Sequence, residues 1–197
     1  MISYNNLQNY VANMRNKNVN KLTCKNEENL LHKCILCKNF LSSNEYGPEL
    51  EKYIKEKLNI KKAINSISGD GTKNNKNIEI KVSLSNNEGQ LNFLQIRPDH
   101  HIDYYIFLAY NLLEEELGKV YLFLIPAKDI YAILPEFGGY SHGTTEVLGK
   151  ITNENIFGRN CEYSLRPNPN KNDNSRAKKL WNYLLQYSVS LEECIFN

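Results

Sequence analysis

The sequence predicts an α/β (α+β) fold with a central mixed sheet flanked by helices, and three observations carry that expectation. Ile78-Glu79-Ile80-Lys81-Val82 alternates apolar and charged residues at the period of a half-buried strand. Residues 27–42 and 50–58 instead place apolar side chains at helical spacing, with Leu30, Leu31, Cys34, Ile35 and Leu41 in the first and Leu50, Tyr53, Ile54 and Leu58 in the second. Residues 120–125 form a continuous apolar run of strand length, as expected of a strand buried on both faces.

The elements follow in order. Residues 3–16 and 27–42 read as two helices within an N-terminal segment 1–46. Pro48 opens a third helix that runs to about Asn59 and begins the core, 47–125. Gly69-Asp70-Gly71 then leads into a polar stretch, 72–77, rich in Lys and Asn, which reads as a hairpin turn. On the strand that follows, Glu79 and Lys81 share one face, and Ile78, Ile80 and Val82 share the core face. Ser85-Asn86-Asn87-Glu88-Gly89 is a second hairpin loop, and 91–97 returns beside the first strand. With Asn92, Leu94 and Ile96 on the core face, Phe93, Gln95 and Arg97 fall on the face of Glu79. Tyr105, Leu108, Ala109 and Leu112 predict a helix over 102–117, entered through Pro98 and Asp99 and stopped at Gly118. That places His100 and His101 near a helix N-terminus, a position that favours phosphate contact. Residues 135–174 lose clear period and read as recognition loops. The last segment, 175–197, begins as an amphipathic helix with Arg176, Lys178 and Lys179 opposite Leu180, Trp181 and Leu184. All of this fits one domain of 197 residues, 41% hydrophobic and 23% charged.

Folding back at residues 72–77 brings Asp70 toward Glu79. Two adjacent carboxylates repel unless a cation lies between them, and hard oxygen ligands suit Mg²⁺. Lys81 beside them can orient or deprotonate a water and offset charge on a phosphate. Asp70 followed nine residues later by Glu79-Ile80-Lys81 resembles the PD-(D/E)xK motif of nucleases, most nearly that of Type II restriction endonucleases, with Gly69 in place of the proline. The resemblance implies a restriction-endonuclease-like αβββαβ core across 47–125 and metal ligation by Asp70, Glu79 and the Ile80 carbonyl. It also implies double-stranded DNA as substrate and a homodimer with one site per strand.

Other residues join this expectation. Glu51, on the helix before the hairpin, is either an auxiliary ligand or part of a solvated helix face. Gln95 either positions water or backbone at the site or makes a cross-strand polar pair, and Arg97 can clamp a phosphate oxygen. His142, Arg166 and Asn168 are candidates for DNA contact, although an ordinary surface loop has the same composition. Cys24, His32, Cys34 and Cys37 offer four zinc-type ligands within fourteen residues, against which Cys34 and Cys37 lie in an apparent helix where thiols pack as small apolar groups.

The formal charge of +2 announces no polyanionic partner and excludes none. No basic segment followed by an apolar one opens the chain, and the longest apolar run is too short to span a bilayer. Five cysteines without framework spacing argue for reduced thiols, hence a soluble, cytoplasmic protein with no membrane partner. The expected function is a Mg²⁺-dependent, sequence-specific double-stranded DNA endonuclease. The alternatives are a structure-specific repair nuclease or nickase of the same fold, and a non-enzymatic DNA-binding or zinc module in which Asp70, Glu79 and Lys81 form only a solvated hairpin face.

Overall fold

The computed structural model describes residues 27–141 and 149–196. The helix expected over 3–16 lies outside them. Helix α1 (Leu30–Phe40) starts where the Asn29 side chain accepts from His32 N at 3.1 Å. Five consecutive residues from Lys33 to Cys37 are buried, as expected of a helix enclosed by other elements. Helix α2 (Ser43–Leu58) begins five residues before Pro48, because Glu45 accepts from both Ser42 N (3.1 Å) and Ser42 Oγ (2.9 Å) and so nucleates an earlier first turn. Its buried stripe is Leu50, Tyr53, Ile54 and Leu58.

Among the described residues nine strands follow in chain order: β1 (Lys61–Lys62), β2 (Gly71–Lys73), β3 (Lys76–Leu84), β4 (Phe93–Ile96), β5 (Tyr104–Asn111), β6 (Lys119–Pro126), β7 (Gly138–Tyr140), β8 (Tyr163–Leu165) and β9 (Ser188–Val189). Helix α3 (Ala127–Phe137) lies between β6 and β7, and α4 (Arg176–Leu184) precedes β9. The main sheet is ordered β1-β2-β3-β5-β6-β9 and is mixed, since β3 and β5 run parallel and the other neighbours antiparallel. A smaller antiparallel sheet is ordered β4-β8-β7.

The β2–β3 hairpin forms where the sequence places it. Asn74 (φ 52°) and Asn75 (φ 59°) both take the left-handed conformation required by a two-residue turn whose twist matches that of the strands. Each face of the main sheet builds a core. Ile78, Ile80, Ile106, Leu108 and Leu122 pack against Leu36 of α1 and Ile54 of α2. The other face, with Tyr105, Phe107, Phe123 and Ile125, packs against α3, α4 and the small sheet through Ile130, Leu134, Trp181, Phe93 and Tyr163.

Three expectations are corrected here. Residues 104–111 form strand β5 and not a helix. Every residue from Tyr105 to Asn111 is buried, and a strand covered on both faces needs apolar side chains throughout, which satisfies helical spacing by coincidence. Gly118 accordingly lies in the β5–β6 connection and stops no helix. The returning segment pairs with β8, not with β3. Lastly, 135–174 is not wholly loop: Pro135 closes the last turn of α3, and β7 and β8 build the small sheet. The C-terminal helix stands close to where the sequence puts it, but Arg176 donates to the carbonyls of Glu136 (2.8 Å) and Gly138 (3.2 Å), and Lys178 to that of Pro169 (2.6 Å). Among the described residues no helix is long and apolar enough to cross a membrane.

The turn geometry gives a direct check. Asn75→Val, which forces a β-branched residue into the left-handed region, costs about 1–2 kcal/mol in urea unfolding, whereas Asn75→Gly is neutral or stabilising.

Candidate functional site

Gly69 and Gly71 set the approach of Asp70 to β3. A Cβ on Gly69, which has φ +75°, would lie 2.5 Å from the Ile78 carbonyl oxygen, and one on Gly71 would lie 2.5 Å from that of Lys61. Strand β2 pairs with β3 only as far as Ile78, where Gly69 adds an isolated bridge. Asp70 then takes over the edge of β3: its N donates to the Ile78 carbonyl (2.8 Å), and its Oδ2 accepts from Ile80 N (2.7 Å). The N–H and C=O of one strand residue point to the same side, so the Ile80 carbonyl opens toward the Asp70 carboxylate.

Glu79 and Lys81 project from the opposite side of β3 to Ile78 and Ile80. Their register partners on β5, Tyr105 and Phe107, belong to the core shared with the small sheet. Glu79 is 8% exposed, and its Oε1 accepts from Lys81 Nζ at 2.5 Å. Burial pushes the Glu79 carboxyl above its ordinary pKa and the Asp70 charge adds to that, while Lys81 and Arg97 pull it back.

These groups share a cleft of about 770 Å³ between α2, the open edge of β3 and strand β4. Asp70, Glu79, Ile80 and Lys81 of β3 and its edge line it, with Gln95 and Arg97 at β4 and Glu51 on α2. Gln95 reaches the cleft by a route the sequence does not announce. Its φ of +57° kinks β4 so that Phe93 and Ile96 are both fully buried while Gln95 is exposed. The expected core face of Asn92, Leu94 and Ile96 is therefore wrong for two of the three, since Asn92 and Leu94 line the cleft. Arg97 donates through Nε (2.9 Å) and Nη2 to Glu162 beside β8, which fixes the guanidinium at the cleft wall. Glu51 is paired with Lys55 at 2.6 Å.

The other candidates fall elsewhere. His142 and Cys24 lie outside the described residues. Arg166 is exposed, donating to Asn92 Oδ1 at 3.3 Å, beside a separate cavity of about 290 Å³ lined by Gln90, Gly139 and Arg176. Asn168 is 0% exposed, donates to the Glu88 carbonyl (3.1 Å) and accepts from Asn170 N (2.8 Å). It staples two loops and presents no amide edge to a ligand, which corrects its assignment as a DNA contact. Asp99 likewise accepts from Gly158 N (2.6 Å) and Asn160 N (3.0 Å), and no helix follows it, so His100 and His101 do not mark a helix N-terminus. Burial, with Arg97 and Lys81 nearby, holds His100 below its ordinary pKa, and His100 N donates to the Arg97 carbonyl at 3.1 Å.

Cys34 and Cys37 are buried in the α1–α2 core, and burial raises the Cys34 thiol pKa. Among the described residues no three His, Cys, Asp or Glu side chains gather as a metal group. On β3 and its edge the cleft supplies two carboxylates, Asp70 and Glu79, and the Ile80 carbonyl, a donor set that fits Mg²⁺, which ordinarily takes one or two carboxylates and keeps several waters. Sequence reading missed Ser83, which lines the cleft and accepts from Asn92 N at 2.7 Å. Its parity with Glu79 and Lys81 was the available signal.

No family model matches the chain, and neither a curated protein nor a solved structure matches it.

The Glu79 environment predicts a pH signature. Its pKa is raised on folding, so it favours the native state below the unfolded glutamate pKa of about 4.3, and that contribution is lost as pH rises through the native value. In metal-free protein, carboxyl-carbon NMR should show Glu79 titrating above the other glutamates, with Asp70→Asn lowering its midpoint. A midpoint that does not move in Asp70→Asn would mean that the two carboxylates do not interact.

Proposed function

We propose that the protein is a Mg²⁺-dependent, sequence-specific double-stranded DNA endonuclease of the Type II restriction kind. The observation that carries this reading is the convergence, in one cleft, of Asp70, Glu79, the Ile80 main chain, Lys81, Gln95 and Arg97. The core is then a variant of the αβββαβ arrangement: α2 precedes the hairpin, β5 and β6 complete the mixed sheet, and the helix expected before the last strand follows it as α3.

Asp70, Glu79 and the Ile80 carbonyl would hold the cation. Bound there, Mg²⁺ supplies Lewis-acid activation of water and charge neutralisation at the phosphate. The chain's own groups do the rest. Lys81, already drawn to Glu79, orients the attacking water and balances charge building on the phosphate. Arg97 binds a phosphate oxygen through the guanidinium face that Glu162 leaves open, and Gln95 fixes the water or the neighbouring backbone. Attack in line with the scissile bond breaks the P–O bond, leaving one phosphate-terminated and one hydroxyl-terminated end. Cutting both strands of a symmetric site requires two such clefts, supplied by a two-fold homodimer. The described cysteines are free thiols, in keeping with a reducing cytoplasm.

Incubation with bacteriophage DNA tests the reading. Discrete fragments should form with Mg²⁺ and disappear with EDTA. Asp70→Asn keeps an acceptor for Ile80 N but loses the charge, and Lys81→Met keeps the stem but loses the ammonium. Each should lower the cutting rate by about 100-fold or more with circular dichroism and melting little changed. Nicked circles would point to the nickase, and DNA left intact by folded wild-type protein would contradict the proposal.

A further inference from the structure

We propose that the turn over residues 63–68 is an apolar wedge for the DNA duplex, with Ile64 and Ile67 entering the minor groove next to the phosphate bound in the cleft. This rests on the endonuclease reading above. Ile64 is 81% exposed and Ile67 40%, on a turn that ends two residues before Asp70. Such exposure on a mobile loop would mean little, but this turn is held in place. Asn65 Oδ1 accepts from Ile67 N (3.1 Å) and Ser68 Oγ (2.8 Å), Ser68 N donates to the Asn65 carbonyl (3.3 Å), and the Ile67 carbonyl accepts from His101 N (2.9 Å). The last of these ties the turn to the segment that follows Arg97 of the cleft, where His100 N donates to the Arg97 carbonyl (3.1 Å). The wedge and the cleft therefore share one rim.

Reach and charge select the occupant. Ile67 and Ile64 stand three and six residues from Asp70, at most about 10 and 21 Å of extended chain, within the footprint of a single duplex lying on the site. Lys61 and Lys62 are exposed on β1 at the foot of the turn, and Asp70 is the sole acid between residues 60 and 77. Cationic residues beside an outward-facing apolar pair match a molecule that is anionic outside and apolar between its stacked bases. Isoleucine is among the side chains that enter the minor groove and part a base step. Because that distortion is cheapest at pyrimidine–purine steps, the wedge adds sequence preference at the step beside the cut without any base-edge hydrogen bond.

The cut site is first mapped with wild-type protein. Duplexes bearing that site are then prepared with 2-aminopurine on either side of the scissile phosphate, and binding is followed in the non-cutting Asp70→Asn background. The wedge predicts a fluorescence rise on binding, lost in Ile64→Ser/Ile67→Ser, together with an affinity about tenfold or more weaker. Both serines replace exposed residues, and a melting curve verifies the fold. If wild-type protein cuts but the double variant binds as tightly with the same fluorescence, the wedge is overturned and the endonuclease stands. If wild-type protein neither binds nor cuts any duplex, both fail. If the serines instead convert a dimer to a monomer in sedimentation, the turn is an interface between copies and the wedge is overturned.

Discussion

Beyond Ile78, strand β3 loses its hairpin partner, and the amide of Ile80 would be left at an open edge. The Asp70 carboxylate satisfies it at 2.7 Å, and the site depends on that bond. The bond both ends the β2–β3 ladder and fixes where the acid sits. The same alternation of backbone direction turns the Ile80 carbonyl toward Asp70, while the alternation of side chains sends Glu79 and Lys81 to the opposing layer. One strand thus supplies a main-chain oxygen, a carboxylate and an ammonium from three consecutive residues.

The electrostatics follow from what covers this strand. The small sheet packs over the face that carries Glu79 and Lys81, removing water from the carboxylate and raising its pKa, and Asp70 works in the same direction. Lys81 and Arg97 offset the burden only in part. A divalent cation between the carboxylates would reverse the balance, replacing repulsion with ligation and releasing the proton that Glu79 holds more tightly than it does in the unfolded chain. The left-handed kink at Gln95 belongs to the same design. By folding Phe93 and Ile96 into one core, it frees Asn92, Leu94, Gln95 and Arg97 to form the cleft wall.

Legibility in the sequence tracked the range of the interactions involved. The β2–β3 hairpin was readable because its causes are local: glycines on both sides of Asp70, asparagines at the turn and a period-two strand. The stripe of α2 was readable for the same reason. Strand β5 was not, because burial on both faces erases the alternation that distinguishes strand from helix. With it went the pairing of β4, the neighbours of Glu79 on β5 and the site of α3. Asn168 was misassigned because its loop composition matches that of a binding surface, and only the fold shows it stapled beneath another loop. Gln95 and Arg97 were placed at the site by a parity argument whose register the kink invalidates, although both do line the cleft.

The central claim is that Asp70, Glu79 and the Ile80 carbonyl surround a cation position. Its most direct test is an anomalous-diffraction map of crystals soaked in Mn²⁺, used in place of Mg²⁺. The account predicts one strong peak about 2.1 Å from an Asp70 carboxylate oxygen and the Ile80 carbonyl, lost in Asp70→Asn. Saturating Mn²⁺ with no peak in this cleft, or a peak that persists in Asp70→Asn, would contradict it.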